Sequence, residues 1–151
     1  MESVVSTVAG LYRTAHADLR EAVRDLEPDA LNWSPVSEAI SVAALVVHTI
    51  GSEAEVLRAV RAVPGERDRD AEFRTHADTA ADLVAHLDAA DVYLDEMTGT
   101  ITAADLDAMR PRGDRPPAKG LYWLVSNYGH AREHLAHVQL TLQLYREQKA
   151  R

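Results

Sequence analysis

Residues 120–148 read GLYWLVSNYGHAREHLAHVQLTLQLYREQ and hold three of the chain's seven histidines, His130, His134 and His137. Apolar residues recur here every three or four positions, which predicts a long amphipathic helix. Its predicted buried face consists of Leu121, Leu124, Tyr128, Ala131, Leu135, Val138 and Leu142. Residues three, four and seven apart share one helix face, so the three imidazoles should point the same way.

This row of imidazoles has two interpretations. Two histidines four residues apart can bind one metal ion, as in helical zinc sites. The alternative is a half-buried polar stripe whose hydrogen bonds are satisfied inside the protein. For one pair of histidines the second interpretation would be preferred, but a third histidine beside the pair favours a metal.

Composition limits the kind of protein and the kind of site. The 151 residues, 46% of them hydrophobic and 26% charged, predict one globular domain over 1–151. The sequence contains no cysteine, which excludes disulfides, thiolate ligands and a cysteine nucleophile. A metal would therefore be bound through nitrogen and oxygen atoms.

The charge pattern also excludes several partners. A net charge of −8 without a basic cluster argues against a nucleic-acid partner. No apolar run approaches the ~18 residues of a membrane span. The first residues, with an acid at position 2 and helical spacing, do not resemble a signal peptide. We therefore expect a cytoplasmic protein with no membrane partner.

Periodicity predicts three further long helices, over 3–26, 42–62 and 79–97. Ser41 is the predicted N-cap of the second of these. The polar segment 63–78 shows no periodicity, and it is long enough to cross a bundle of roughly 30 Å.

The segment between the last two long helices is predicted to be irregular. It offers a short helical turn over 103–109, followed by a loop rich in proline, glycine and arginine. We interpret Arg110, Arg112 and Arg115 as solvated charges; the alternative is that they meet an anionic substrate.

Three polar residues of the first two helices need an interpretation. His16 falls off the apolar stripe of its helix and should face solvent. His48 lies on the flank of its helix's buried stripe, near Ser52. Glu53 lies in the middle of that stripe, where a carboxylate is costly without a partner. Glu53 should therefore serve either the site or a subunit contact, or else form a structural ion pair.

Flanking positions on neighbouring helices line the crevice between them, so His48 could meet His130 and His134. Three neutral imidazoles with an open position form a catalytic arrangement, because structural sites usually use four protein ligands. Such a site can activate a bound water or thiol, or polarise a carbonyl. Candidate hydrogen-bond partners for the far ring nitrogens are Glu53, Glu55 and Glu133. We interpret His137 as a polar residue at the edge of the core; the alternatives are a hydrogen-bond partner at the site and a proton shuttle.

Two segments carry a resemblance to a known family. Residues 31–58, LNWSPVSEAISVAALVVHTIGSEAEVLR, resemble the tryptophan–proline turn, capped helix and histidine of the DinB/YfiT-like superfamily. Residues 130–145, HAREHLAHVQLTLQLY, resemble that family's last helix with its histidine pair. Trp33 of the turn and Asn127, beside the histidines, are further candidates for the surroundings of the site.

The resemblance implies an all-α four-helix bundle in up-down-down-up order, with a long crossover between the second and third helices, often as a homodimer. It also implies a divalent metal ion on the triad His48, His130 and His134, with zinc or nickel first and iron or manganese as further options. This sequence departs from many relatives by having His137 in place of glutamine and Ala136 in place of glycine.

Characterised members of that family include S-transferases that use bacillithiol or mycothiol, a mycothiol-dependent isomerase and glutathione-dependent enzymes. The resemblance therefore implies a transferase that joins a small thiol to a small electrophile. The arginine-rich, lysine-poor composition leans towards mycothiol. The alternatives are a metal-dependent hydrolase and a non-enzymatic, stress-associated dimeric bundle that binds metal.

Overall fold

The computed structural model describes residues 3–151, which form seven helices and one β-hairpin. The elements are α1 (Val4–Val23), α2 (Pro28–Asn32), α3 (Val42–Arg61), α4 (Arg69–Phe73), α5 (Ala80–Thr98), α6 (Ala103–Asp107), β1 (Met109–Arg112), β2 (Arg115–Lys119) and α7 (Gly120–Lys149). The chain is mostly helical, as the sequence predicts. None of the helices within residues 3–151 has both the length and the hydropathy needed to cross a membrane.

Local capping explains where the long helices begin and end. The predicted cap Ser41 is confirmed, because its hydroxyl accepts a hydrogen bond from the Ala44 amide at 3.2 Å. Thr79 caps α5 in the same way and forms a capping box with Asp82. Helix α1 stops at Val23, three residues earlier than predicted, where Asp25 takes a left-handed backbone conformation with φ of 60°.

The four long helices bury their apolar faces against one another. Helix α3 packs against α5 and α7, and α1 packs against the same two helices. The core contains two clusters of apolar residues, one around Leu45 and Leu135 and the other around Leu57 and Leu124. On α3 the buried polar residues His48, Thr49, Ser52 and Glu53 lie between the two clusters. The interior thus holds a polar layer at mid-height.

The segment predicted as a proline, glycine and arginine loop is partly a β-hairpin. Strand β1 pairs antiparallel with β2, and Gly113 supplies the turn with φ of +55°. The predicted helical turn before it ends at Asp107 as α6. The sequence does not predict these strands, because they consist largely of arginine and proline and show no alternation of apolar residues.

The connections before α3 and α5 each contain a short helix that the sequence did not predict. Pro28 occupies the first turn of α2, where its missing N–H costs nothing. Asp68 caps α4, and α4 packs against α3. Both helices have five residues, which is too short for a hydrophobic period to show.

The prediction that His16 faces solvent is wrong. Its exposed fraction is 1%. The apolar stripe that the sequence predicts for this helix includes Val4 and Leu11, which are 52% and 39% exposed. The buried face of α1 is therefore rotated relative to the predicted one. The reason is tertiary, since Glu53 and Asp91 come from two other helices to bond both ring nitrogens of His16.

Candidate metal centre

Three histidines from two helices converge on one point. His48 is on α3, and His130 and His134 are one turn apart on α7. One ring nitrogen of each lies within 4.8 Å of the others, so the three are positioned to hold a metal ion. The Nε2 atoms of His130 and His134 are 2.9 Å apart.

The site lies where α3 packs on α7, and its exposed surface is on the α7 side. His48 is buried, with 4% of its surface exposed, while His130 and His134 are partly exposed. The His48 ring centroid is 5.3 Å from that of His130 and 5.0 Å from that of His134. A small molecule can therefore approach the triad from the α7 side.

The surroundings keep all three imidazoles neutral. Burial, helped by the neighbouring imidazoles, lowers the pKa of His130 and of His134 from 6.5 to about 4. Burial also lowers the pKa of His48. At neutral pH each ring then has a lone pair available, which is the form that binds a metal.

Glu72 orients the ring of His48. Its Oε2 lies 2.9 Å from Nδ1 of His48 and accepts that N–H, which leaves the Nε2 lone pair free. The Phe73 ring stacks on the imidazole with centroids 4.5 Å apart and fixes its plane. Both partners come from α4, the short helix inside the predicted crossover.

Arg67 holds Glu72 in turn. Its Nε donates to Oε1 of Glu72 at 2.7 Å, and its Nη2 donates to Oε2 at 2.8 Å. Arg67 also forms an ion pair with Glu55 on α3. Sequence reasoning missed Glu72 and Arg67 because the segment 63–78 has no regular pattern.

One signal in the sequence could have found this contact. Gly51 lies in the middle of α3, where glycine weakens a helix. A Cβ at Gly51 would overlap Oε1 of Glu72. The glycine therefore marks the place where a side chain from outside the helix approaches its backbone.

A buried chain of hydrogen bonds lies one turn from the triad. The Ser52 hydroxyl donates to Oδ1 of Asn127 at 2.7 Å, and Nδ2 of Asn127 donates to the Tyr12 hydroxyl at 3.1 Å. The Tyr12 hydroxyl donates to the Leu124 carbonyl at 3.0 Å. Asn127 thus joins α7 to α3 and α1 beside the site, and its amide bonds Ser52 and Tyr12.

The structure does not bring Glu53 to the triad. Oε2 of Glu53 is 2.8 Å from Nε2 of His16, in a pair of buried side chains. The geometry therefore favours the structural ion pair among the interpretations of Glu53.

Two other residues that were predicted to surround the site do not contact it, and a third lies beside it. Glu133 is exposed on α7, three residues after His130, and forms no hydrogen bond with the triad within residues 3–151. Trp33 packs edge to face against Tyr145, with centroids 5.6 Å apart, near the end of α7. His137 is exposed, and its Nδ1 is 3.4 Å from Nδ1 of His134. Of these residues only His137 contacts a member of the triad.

The donor set fits a divalent transition metal. Neutral imidazole nitrogens bind zinc, nickel, copper and iron well, and no charged ligand or thiolate is needed. Three protein ligands leave a coordination position open for a small molecule. The partly exposed side of the triad is where such a molecule would enter.

Comparison with known proteins agrees with this description. The family model of the DinB superfamily matches residues 11–138, a range that includes the whole triad. The crystal structure of a conserved protein from Enterococcus faecalis has the same fold, with a TM-score of 0.78 and 17% identity over 95% of this chain and 98% of that chain. No curated protein matches the sequence. Since the family model spans most of the sequence, the chain belongs to the DinB superfamily.

Proposed function

We propose that this protein is a metal-dependent enzyme that transfers a low-molecular-weight thiol to a small electrophile. The observation that supports the proposal is the triad itself: three neutral imidazoles that converge on one point and are reachable from outside. Family membership supports a metal site and leaves the reaction open, because one fold serves several reactions.

The residues present indicate how such a site would work. A divalent ion, zinc or nickel first and iron or manganese next, would act as a Lewis acid that favours the thiolate, the reactive form of a thiol. Glu72 holds the proton of Nδ1 on His48 and so keeps Nε2 directed at the centre. Phe73 prevents the ring from turning.

Metal content is the first test. Protein purified from metal-replete cells should contain close to one divalent ion per chain. His130→Ala or His134→Ala should remove it, because two imidazoles bind far more weakly than three. His76→Ala changes an exposed histidine and serves as the control. An empty parent protein under these conditions would overturn the proposal.

Turnover separates the enzyme from its alternatives. A screen of thiols against small electrophiles should find metal-dependent product formation that His48→Ala abolishes. Hydrolysis of esters or amides without a thiol would instead identify a hydrolase, in which water replaces the thiol as nucleophile. Tight metal binding with no turnover in either screen would leave the non-enzymatic bundle.

We also propose the up-down-down-up order of the long helices. The apolar clusters support it: α1 and α7 run from the cluster around Leu57 to the cluster around Leu45, and α3 and α5 run the other way. A cytoplasmic location remains a prediction.

A homodimer is the proposed assembly. Helix α7 exposes Tyr122, Val125, Leu140 and Leu144 along one stripe, and each is at least 41% exposed. Light scattering should give twice the chain mass, and Leu140→Lys should yield monomers. A monomeric parent protein would refute this assembly.

A further inference from the structure

The hairpin places one arginine beside the metal centre. Arg112, at the end of β1, extends over α3, where Nη2 donates to the Ser52 hydroxyl at 3.0 Å and to Oε2 of Glu55 at 3.3 Å. Its guanidinium also lies 5.7 Å from the centroid of the Trp123 ring. Only 9% of the side chain is exposed. A loop arginine that the sequence suggested was solvated is therefore buried at the α3–α7 crevice.

The hydrogen-bond partners of Arg112 show how far it lies from the triad. Ser52, which it bonds, is one turn after His48 on α3. Asn127, which Ser52 bonds, is one turn before His130 on α7. The guanidinium thus lies in the adjacent layer of the crevice, roughly 5 Å along the helices from the triad.

The protein does not provide an acceptor for every hydrogen-bond donor of Arg112. Its Nε is buried and has no hydrogen-bond partner within residues 3–151. A buried donor without an acceptor destabilises the fold, and more so when the group is charged. Its one carboxylate partner, Glu55, is shared with Arg67.

Positive charge is in excess around this arginine although the chain as a whole carries −8. Arg115 and Arg67 both act on Arg112 as like charges, while Glu55 opposes them. The other carboxylate nearby, Glu72, is already bonded to His48 and to Arg67. An additional anion would therefore lower the energy of this cluster.

We propose that Arg112 forms an anion subsite of the metal centre and binds a carboxylate of the thiol substrate. The sulfur lies at the histidine triad and the carboxylate lies one layer away, against the guanidinium, which suits a planar carboxylate. The substrate class is thus a small thiol that carries a carboxylate; mycothiol, whose cysteine carboxyl is bound in an amide, falls outside this class. This inference rests on the proposed thiol chemistry of the triad.

The test compares two thiols that differ only at the far end. 3-Mercaptopropionate carries a carboxylate, and 3-mercaptopropan-1-ol carries a hydroxyl at the same place. Cobalt(II)-loaded protein reports thiol binding through its sulfur-to-metal absorption band. The parent protein should bind the acid about tenfold or more tightly than the alcohol, because a charge-assisted hydrogen bond contributes at least ~1.5 kcal/mol. Arg112→Gln should bind the two thiols equally.

Three controls make the result specific. Glu55→Gln removes the competing carboxylate and should increase the preference for the acid, a gain that a misfolded variant cannot show. Arg24→Gln makes the same charge change at an exposed site directly after α1 and should keep the parent's preference. The cobalt content of each variant shows that weaker thiol binding does not reflect lost metal.

The outcomes separate this inference from the function on which it rests. If the parent binds both thiols with equal affinity, the subsite is wrong while thiol binding at the metal stands. If Arg112→Gln keeps the full preference, another residue binds the carboxylate. If neither thiol changes the cobalt spectrum, the thiol chemistry fails and the subsite fails with it.

Discussion

Glu72 contacts both His48 and Arg67, so its charge acts on the metal centre through a ligand. Glu72→Gln keeps the size of the side chain and removes the charge. We expect metal affinity to fall by roughly ten- to a hundredfold, because the partner of a ligating histidine sets its basicity and orientation. Competition with a chromophoric chelator measures this. Glu133→Gln, an exposed change on α7, should leave the affinity as it is, and an equal loss in both variants would count against the role of Glu72.

His16 is the second residue whose environment differs from its sequence pattern. Burial alone would lower its pKa, but the hydrogen bonds to Glu53 and Asp91 outweigh burial and raise the pKa. His16→Leu would leave Glu53 buried without a partner, and we expect a loss of about 3–5 kcal/mol in the free energy of unfolding.

The double variant His16→Leu, Glu53→Leu should recover most of that loss, because an apolar pair can replace a buried ion pair at little cost. Urea unfolding of His16→Leu, of Glu53→Leu and of the double variant gives the coupling energy between the two side chains. A double variant no more stable than His16→Leu would show that Glu53 is not the group left unpaired.

At the scale of elements, the contact between α3 and α4 depends on Gly51. Glycine to alanine inside a helix usually stabilises by about 0.5–1 kcal/mol. At Gly10 of α1 a Cβ would meet no atom within 4 Å, so Gly10→Ala should show that gain. At Gly51 the Cβ would displace Glu72, which Arg67 and His48 hold in place.

Gly51→Ala should therefore destabilise the protein, by about 1 kcal/mol or more, and weaken metal binding as well. Urea unfolding and the chelator competition measure the two effects. Stabilisation by both alanine variants would mean that Glu72 moves away freely and that α4 does not depend on this contact.

At the scale of the whole molecule, the histidines predict how stability depends on pH. His130 and His134 have a pKa of about 4 in the fold against 6.5 ordinarily, so the folded protein binds fewer protons than the unfolded chain between these values. Stability of the metal-free protein should therefore fall as the pH decreases from about 6.5 to about 4.

The contribution of His16 to stability depends on pH in the opposite direction. Its raised pKa stabilises the fold below pH 6.5, and this contribution is lost as the pH rises through the folded-state pKa.

The double variant His130→Gln, His134→Gln should flatten the acidic side of this curve and leave the basic side as it is. Urea midpoints measured from pH 4 to pH 8 without metal test this expectation. An unchanged acidic slope would assign the proton uptake to other groups.

The sequence by itself determined the long helices, several of their caps and the pairing of His130 with His134. These features are local, since apolar spacing and cap residues act within one or two turns of the chain. The flank position of His48 was also visible, and the structure places it with the other two histidines.

Only the tertiary structure decided which polar side chains meet. Glu72 and Arg112 come from short elements and Arg67 from the loop before α4, and none of these segments has a period that a sequence pattern could show. His16 is buried because partners on α3 and α5 satisfy it. The energy of a buried charge depends on groups far away in sequence, which no local pattern records. The sequence thus largely predicts the histidine triad. The contacts of Glu72 and Arg112 near it form only when α3, α4, α7 and the hairpin pack together.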